Sequence, residues 1–195
     1  MRRIQLLPLG SLDPELLSGL ASGLAGEFLI PCEILTPVAE PSFAFNVTRQ
    51  QYSSMEVLVA LARREIPDTW RLLGVTALDL YIPIFTFVFG EAQLKGKCAL
   101  ISTFRLRDEF YGLPPNLPLL RERMLKEAVH ELGHTLGLPH CEDYQCVMAS
   151  SHGVELVDLK SSHFCAGCRA MAHNRAGGQA LRTALRGPQF FLLSL

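Results

Sequence analysis

The feature that most constrains this chain of 195 residues is a short segment in which three histidines and a glutamate stand at fixed spacing. His130, Glu131 and His134 spell HExxH, and Gly137 and His140 extend the pattern to HExxHxxGxxH. Residues four apart on a helix lie one turn above each other on the same face, so the first two imidazoles can converge on one ion. The pattern therefore predicts a zinc-binding helix.

The segment from about Leu119 to Leu136 has the apolar spacing of a helix, with the two histidines on its polar half and Glu131 at the boundary between the halves. Gly137 is predicted to end this helix, because glycine adopts the left-handed conformation without a clash, and the turn brings His140 back as third ligand. Three protein ligands leave the fourth zinc position for water, and Glu131 is placed to act as general base. The alternative, an exposed helix face decorated by chance, is disfavoured by the added glycine and third histidine.

Four of the six cysteines lie between positions 141 and 168. Cys141 and Cys146 form a CxxxxC pair, and Cys165 and Cys168 form a CxxC pair. An all-cysteine set is typical of a closed structural zinc site, so we predict a second zinc here. Two disulfides or ordinary buried thiols are the alternatives. Because Cys141 directly follows His140, we hypothesise that the second zinc orders the loop that presents this histidine.

The complete pattern, HExxHxxGxxHC followed by CxM and a later CxxC, resembles the archaemetzincin family over residues 130 to 168. The resemblance implies a compact α/β domain with a catalytic zinc site and a neighbouring four-cysteine zinc site. It implies a Met-turn at Met148, although a methionine is more often core filler. By position, the resemblance also implies that the catalytic zinc ligands are His130, His134 and His140, that Glu131 is the general base, and that the second site comprises Cys141, Cys146, Cys165 and Cys168.

Hydrophobic periodicity predicts an α/β (α+β) fold in which helices accompany a mixed sheet. The resemblance implies one compact zincin-like domain with a mixed, twisted sheet, an active-site helix and a cysteine-rich zinc-binding C-terminal part. We assign residues 1–173 to the domain and residues 174–195 to a C-terminal tail. The predicted strands are Ile4–Leu9, Cys32–Val38, Leu72–Ile82, Phe85–Phe89 and Cys98–Leu106. The predicted helices, besides the histidine helix, are Asp13–Phe28, Gln50–Glu65 and a short one starting near Cys165.

Composition limits the partners. Lys and Arg total 18 and Asp and Glu total 19, so no general attraction to nucleic acid or to an anionic membrane is expected. The N-terminal apolar stretch is broken by Pro8 and Gly10, and no run is long enough to cross a bilayer. We therefore expect a cytoplasmic protein without nucleic-acid or membrane partners. We also expect a monomer, and the histidine and cysteine sets predict two zinc ions per chain, one catalytic and one structural.

The leading functional prediction is a zinc metallopeptidase that acts on a peptide or protein, with aminopeptidase-like cleavage of small peptides suggested by the resemblance. The alternative is a two-zinc binding or protein-interaction module with weak or no proteolysis, in which the apolar tail around Phe190 and Phe191 blocks the open zinc position. Cys98–Leu106 is the candidate edge strand for pairing with extended substrate, or else an ordinary core strand. Tyr144 and His152 are weak substitutes for the tyrosine that follows the Met-turn in some metzincins.

Overall fold

The computed structural model describes residues 2–178, which form a three-layer arrangement around one main sheet. The strands are β1 (Arg3–Leu9), β2 (Cys32–Ile34), β3 (Phe45–Asn46), β4 (Gln51–Ser53), β5 (Thr69–Thr76), β6 (Leu80–Tyr81), β7 (Gly90–Ala92) and β8 (Cys98–Ser102). The α-helices are α1 (Pro14–Phe28), α2 (Ser54–Ala62), α3 (Leu117–Thr135), α4 (Val154–Leu159) and α5 (Ala166–Gly178). Short 3₁₀ turns occupy Ser42–Ala44, Phe104–Leu106 and Asp108–Tyr111.

The main sheet has five strands in the order β2-β1-β5-β8-β7. The first four strands run parallel, and β7 pairs antiparallel with β8 at the edge. A small second sheet has the order β3-β4-β6. The predicted mixed α/β fold is confirmed.

Side chains of the central strands alternate between two cores, as the pleat of a strand requires. On β1, Ile4 and Leu6 belong to the larger core, together with residues of α1 and α3. Leu7 and Leu9 face the opposite way and join a smaller core with α2. Helix α3 therefore lies on one face of the sheet, against β8 and the edge strand β7.

Helix α3 begins and ends where its sequence provides the caps. The side chain of Asn116 accepts a hydrogen bond from the backbone N–H of Leu119 at 3.2 Å, and Pro118 stands in the first turn, where its missing N–H costs nothing. At the other end Gly137 has a φ of 84°, in the left-handed region, and its N–H donates to the His134 carbonyl at 2.8 Å. The predicted helix stop at this glycine is confirmed.

Three strand predictions were wrong in detail. The run Leu72–Ile82 is not one strand, because β5 ends at Thr76 and the chain then joins the second sheet as β6. Phe85–Phe89 forms a turn with one isolated bridge, from Val88 to Leu80. Arg49 holds this turn through hydrogen bonds to two of its carbonyls, which replace the contacts that a strand would make.

The third error concerns the edge of the sheet. Cys98–Leu106 was the candidate edge strand or else an ordinary core strand. The edge assignment is wrong and the core alternative is correct, because β8 ends at Ser102 and is paired on both sides, by β5 and by β7. The edge belongs to Gly90–Ala92, a segment of three residues without a β-branched or aromatic side chain. Its short length and weak propensity explain why the sequence did not indicate it.

Helix α5 continues to Gly178, across the predicted division between residues 173 and 174, and Arg175 on this helix donates a hydrogen bond to the Gly137 carbonyl. The predicted tail from residue 179 onward, including Phe190 and Phe191, lies outside the described residues. In the stretch from residue 2 to residue 178, none of the helices combines the length and apolar character needed to span a bilayer.

Candidate active site

The three motif histidines converge on one point. One ring nitrogen from each of His130, His134 and His140 lies within 4.8 Å of the others. The Nδ1 atoms of His130 and His134 are 2.8 Å from the carbonyl oxygens of Val147 and Leu138 respectively. A carbonyl oxygen only accepts, so Nδ1 carries the proton in both rings and each Nε2 keeps its lone pair for a metal.

The geometry of these nitrogens fits zinc. The Nε2 atoms of His130 and His134 are 3.0 Å apart. Two nitrogens bound to one tetrahedral zinc at about 2.0–2.1 Å would be about 3.3 Å apart, whereas two bare lone pairs at this separation repel. Burial lowers the pKa of His134 to about 4 and that of His130 well below its usual value, so both rings are neutral near neutral pH. Neutral imidazole is the form that binds a metal.

Glu131 lies next to this cluster, on the wall of a cavity of about 300 Å³ that the three histidines also line. Its side chain is almost completely buried, and burial, followed by the nearby carboxylates of Glu127 and Glu91, raises its pKa well above the usual value. The edge strand passes close by: a Cβ on Gly90 would stand 2.8 Å from Glu131 Oε1 and 2.7 Å from the Leu100 carbonyl oxygen. Only glycine leaves room for the glutamate here.

The four clustered cysteines form a second group. Their sulfur atoms lie within 4.8 Å of one another, and Cys141 Sγ is 3.9 Å from Cys165 Sγ. Sulfurs bound to one tetrahedral zinc at about 2.3 Å would be about 3.8 Å apart, and a disulfide would hold them at about 2.05 Å. The cysteines are all free, so the disulfide alternative does not describe this arrangement. The donor set fits a closed, structural zinc.

The two groups are joined through the backbone of one peptide segment. The Val147 carbonyl accepts from His130 Nδ1, and the Val147 N–H donates to the His163 carbonyl at 3.0 Å. The N–H of Cys141 donates to the Met148 carbonyl at 2.9 Å, which closes the loop between the third histidine and the methionine. Each cluster therefore rests on a chain segment that also supports the other.

Met148 is fully buried and lies against Gly133 of α3, between the two histidines of this helix in sequence. Its Sδ atom stands where a Cβ on Gly133 would be, so the helix needs glycine at this point. His152 and Tyr144 were the two candidate substitutes for the tyrosine that follows the Met-turn in some metzincins. His152 lines the cavity, whereas Tyr144 is 69% exposed and is not among the described lining residues.

Six polar residues of the cavity wall were not predicted as site residues from the sequence: Thr86, Glu91, Glu127, Ser150, Ser151 and Lys160. Lys160 Nζ lies 2.8 Å from Glu127 Oε1, and both side chains are buried. Ser151 also lines the cavity, and its Oγ is buried. Glu127 lies one turn before His130 on α3, so its helical spacing could have placed it on the histidine face. Lys160 is 33 positions away from Glu127, and no local sequence pattern indicates that the two residues pair.

The chain has close relatives among archaeal proteins. Residues 17–174 match peptidase family M54. The archaemetzincin of Methanocaldococcus jannaschii is 46% identical over 173 residues, which cover 89% of this chain and 94% of that protein. The archaemetzincin of Pyrococcus furiosus is 39% identical over 181 residues, with the same two coverages.

Solved structures agree with the fold. The crystal structure of archaemetzincin from Archaeoglobus fulgidus, complexed with malonate, is 38% identical with a TM-score of 0.75 and covers 87% of this chain and 99% of that one. The structure of a zinc-dependent peptidase from Methanocorpusculum labreanum is 29% identical with a TM-score of 0.80, again covering 87% of this chain and 99% of that one. With the histidine and cysteine clusters in place, the chain belongs to peptidase family M54, the archaemetzincins, and is a zinc metallopeptidase.

Proposed function

We propose that the chain hydrolyses peptide bonds in the cavity beside α3, with a catalytic zinc held by His130, His134 and His140. The observation that carries this proposal is the convergence of three histidine nitrogens, within 4.8 Å of one another, on the wall that also carries Glu131. When bound, zinc supplies Lewis-acid chemistry and makes water acidic enough to serve as a nucleophile near neutral pH.

Glu131 is the general base of the proposed reaction. It takes the proton of the attacking water and passes it to the leaving amine, a role that needs a carboxylate whose pKa is raised toward neutrality. Burial and the neighbouring carboxylates raise its pKa in this direction. Gly90 keeps the space in which the Glu131 carboxylate stands.

The second zinc of the proposal is structural and is held by Cys141, Cys146, Cys165 and Cys168. Four sulfurs complete a tetrahedral site and leave no position for substrate. A count of two zinc ions per chain follows, and the adjacency of Cys141 to His140 supports the idea that this second ion orders the loop of the third histidine.

We propose short peptides as substrates, cut in an aminopeptidase-like manner. A cavity of about 300 Å³ is at the lower end of the range for small-molecule sites, which favours a short ligand over a long one. The open edge of β7 lies beside the cavity and offers backbone groups to an extended peptide. We also propose that the protein is a cytoplasmic monomer and has no nucleic-acid or membrane partners.

The test combines zinc analysis with turnover of a quenched peptide library. We expect two zinc ions per chain in wild type and in Glu131→Gln, and cleavage by wild type that falls by a factor of about 10²–10⁴ in the variant. Glu122→Gln is the matched control, because this glutamate is on the same helix but is 56% exposed and outside the described cavity lining. Two zinc ions with no cleavage by wild type would favour the binding-module alternative.

A further inference from the structure

A row of aromatic side chains leads out of the reaction cavity onto the surface. Phe87 lines the cavity. The guanidinium carbon of Arg105 lies 4.4 Å from the centre of the Phe87 ring and 4.6 Å from the centre of the Phe110 ring, so the two ring centres are at most about 9 Å apart. The Phe110 ring contacts Phe104 and Tyr111, with ring centres 5.4 Å and 5.0 Å apart respectively. We call Phe87, Phe104, Phe110 and Tyr111 the aromatic row.

The outer part of the aromatic row is exposed and fixed in place. Phe104, Phe110 and Tyr111 are 37%, 41% and 40% exposed. The Tyr111 hydroxyl donates a hydrogen bond to the Arg105 carbonyl at 2.9 Å, and the Arg105 guanidinium donates to both carboxylate oxygens of Asp79 at 2.6 and 2.8 Å. Single exposed apolar residues are ordinary, whereas a contiguous exposed apolar patch marks a binding site. Because the rings are already fixed, little conformational entropy is lost when a ligand covers them.

The charged groups around the aromatic row are already paired. Residues 104–111 include four charged side chains, and each has an ion-pair partner: Arg105 with Asp79, Arg107 with Glu109, and Asp108 with Arg123. A charged group of a ligand would have to displace one of these partners. A cation would also approach Arg105, which already lies over two of the rings. What the aromatic row offers to a ligand is therefore apolar ring surface.

We propose that the aromatic row is a subsite that binds a large apolar side chain of the peptide substrate, about three residues away from the residue that contacts Phe87. The occupant is the substrate because the row begins at Phe87, in the cavity that the three histidines also line. An extended peptide advances about 3.3 Å per residue, so about three residues span the separation between Phe87 and Phe110. The subsite rests on the proposed function only in that a peptide enters this cavity.

The test is binding, measured by calorimetry with zinc-loaded Glu131→Gln, which is designed to hold peptide without cutting it. The probes are alanine pentapeptides in which phenylalanine, leucine, lysine or glutamate replaces one alanine, at each position in turn. At one position we expect phenylalanine and leucine to bind at least about fivefold tighter than lysine and glutamate, because the side chain removes apolar ring surface from water. This apolar gain should depend on Phe110.

Substitutions at Phe110, made in the Glu131→Gln background, assign the gain to the aromatic row. Phe110→Ala removes the ring that contacts both exposed neighbours and should abolish the gain, whereas Phe110→Tyr keeps a ring and should keep it. The matched control is Phe43→Ala, because Phe43 is another exposed phenylalanine, at 60%, outside the row and the described cavity lining. If Phe110→Ala does not fold, Phe104→Ala should still reduce the gain about twofold.

The outcomes separate the two proposals. An unchanged gain in Phe110→Ala, or no apolar gain at any position, overturns the subsite even if wild type cleaves peptides well. Light scattering that shows a dimer in wild type and a monomer in Phe110→Ala, with peptide binding unchanged, also overturns it, because the row is then an interface between copies of the chain. Loss of the gain in Phe110→Ala, without cleavage of any peptide by wild type, supports the subsite and overturns the hydrolysis.

Discussion

The histidine cluster and the cysteine cluster adjoin along the chain, yet they are built in different ways. Two of the three histidines lie on one helix of 19 residues, packed on the main sheet, so their spacing is fixed before any metal binds. Cys141 and Cys146 lie in irregular chain, and Cys165 and Cys168 lie at the start of another helix. A regular element can prepare a metal site in advance, whereas loops need the metal to hold them.

Loss of a thiolate from the cysteine site should therefore affect stability and zinc binding more widely than loss of an imidazole from the histidine site. We expect Cys165→Ser to lower the melting temperature by more than about 10 °C, because structural zinc contributes about 10–16 kcal/mol in small zinc domains. The same variant should weaken zinc binding at the histidines, since His140 shares the loop. His134→Ala should lose one zinc and leave the cysteine site filled.

Zinc content, zinc affinity and thermal unfolding of the two variants measure this asymmetry. Cys32→Ser is the control, because Cys32 is on β2, outside both clusters. An unchanged zinc affinity at the histidine site in Cys165→Ser would show that the two sites are independent, and the coupling would be wrong.

A second prediction concerns what holds α3 without the cysteine site. Arg123 is 5% exposed and donates to both carboxylate oxygens of Asp158 at 2.7 Å and to Asp108 at 2.6 Å, which ties α3 to α4 and to the preceding turn. Arg123→Leu leaves these carboxylates without their cation and should cost about 3–5 kcal/mol in the free energy of unfolding, measured by urea denaturation. Arg121→Leu, at an exposed ion pair on the same helix, should change it by less than about 0.5 kcal/mol. Equal effects of the two would deny the anchoring role.

A smaller effect is expected from crowding Glu131. Gly90→Ala places a methyl group within 2.7 Å of the Glu131 Cγ and of the Leu100 carbonyl oxygen, so the glutamate must move. We expect kcat to fall by a factor of about 10–100 while zinc content stays at the wild-type value. Gly19→Ala is the control, since a methyl group there meets no atom within 4 Å. Wild-type kcat in Gly90→Ala would mean that the position of Glu131 is not limiting.

The smallest effect is expected at Tyr144, which lies in the cysteine loop and is not among the described residues that line the cavity. Because its side chain is 69% exposed and outside the described cavity lining, Tyr144→Phe should change kcat/KM by less than about twofold. His152→Ala is the comparison, because His152 lines the cavity. A larger loss in Tyr144→Phe than in His152→Ala would reverse the assignment of these two residues.

Much of the candidate site could be predicted from local sequence patterns. The spacing of His130 and His134 predicts a shared helix face, and Gly137 predicts the turn that returns His140, because both depend on neighbours in sequence. Nothing local indicates the pairing of Glu127 with Lys160, which depends on how α4 and the following loop dock on α3. The edge strand at Gly90 was not predicted for a related reason: its conformation is imposed by pairing with β8 and not by its own β propensity.

The hydrogen bond that orients His130 is accepted by the backbone carbonyl of Val147, and the N–H of the same residue donates to the His163 carbonyl. Any amino acid except proline carries both groups. The side chain of Val147 is buried in the main core, so its truncation to alanine changes the packing but leaves both backbone hydrogen bonds in place. Alanine scanning would therefore report the packing of this residue and not the connection between the two clusters. An ester in place of this residue's amide, introduced by semisynthesis, is the substitution to which the connection is sensitive.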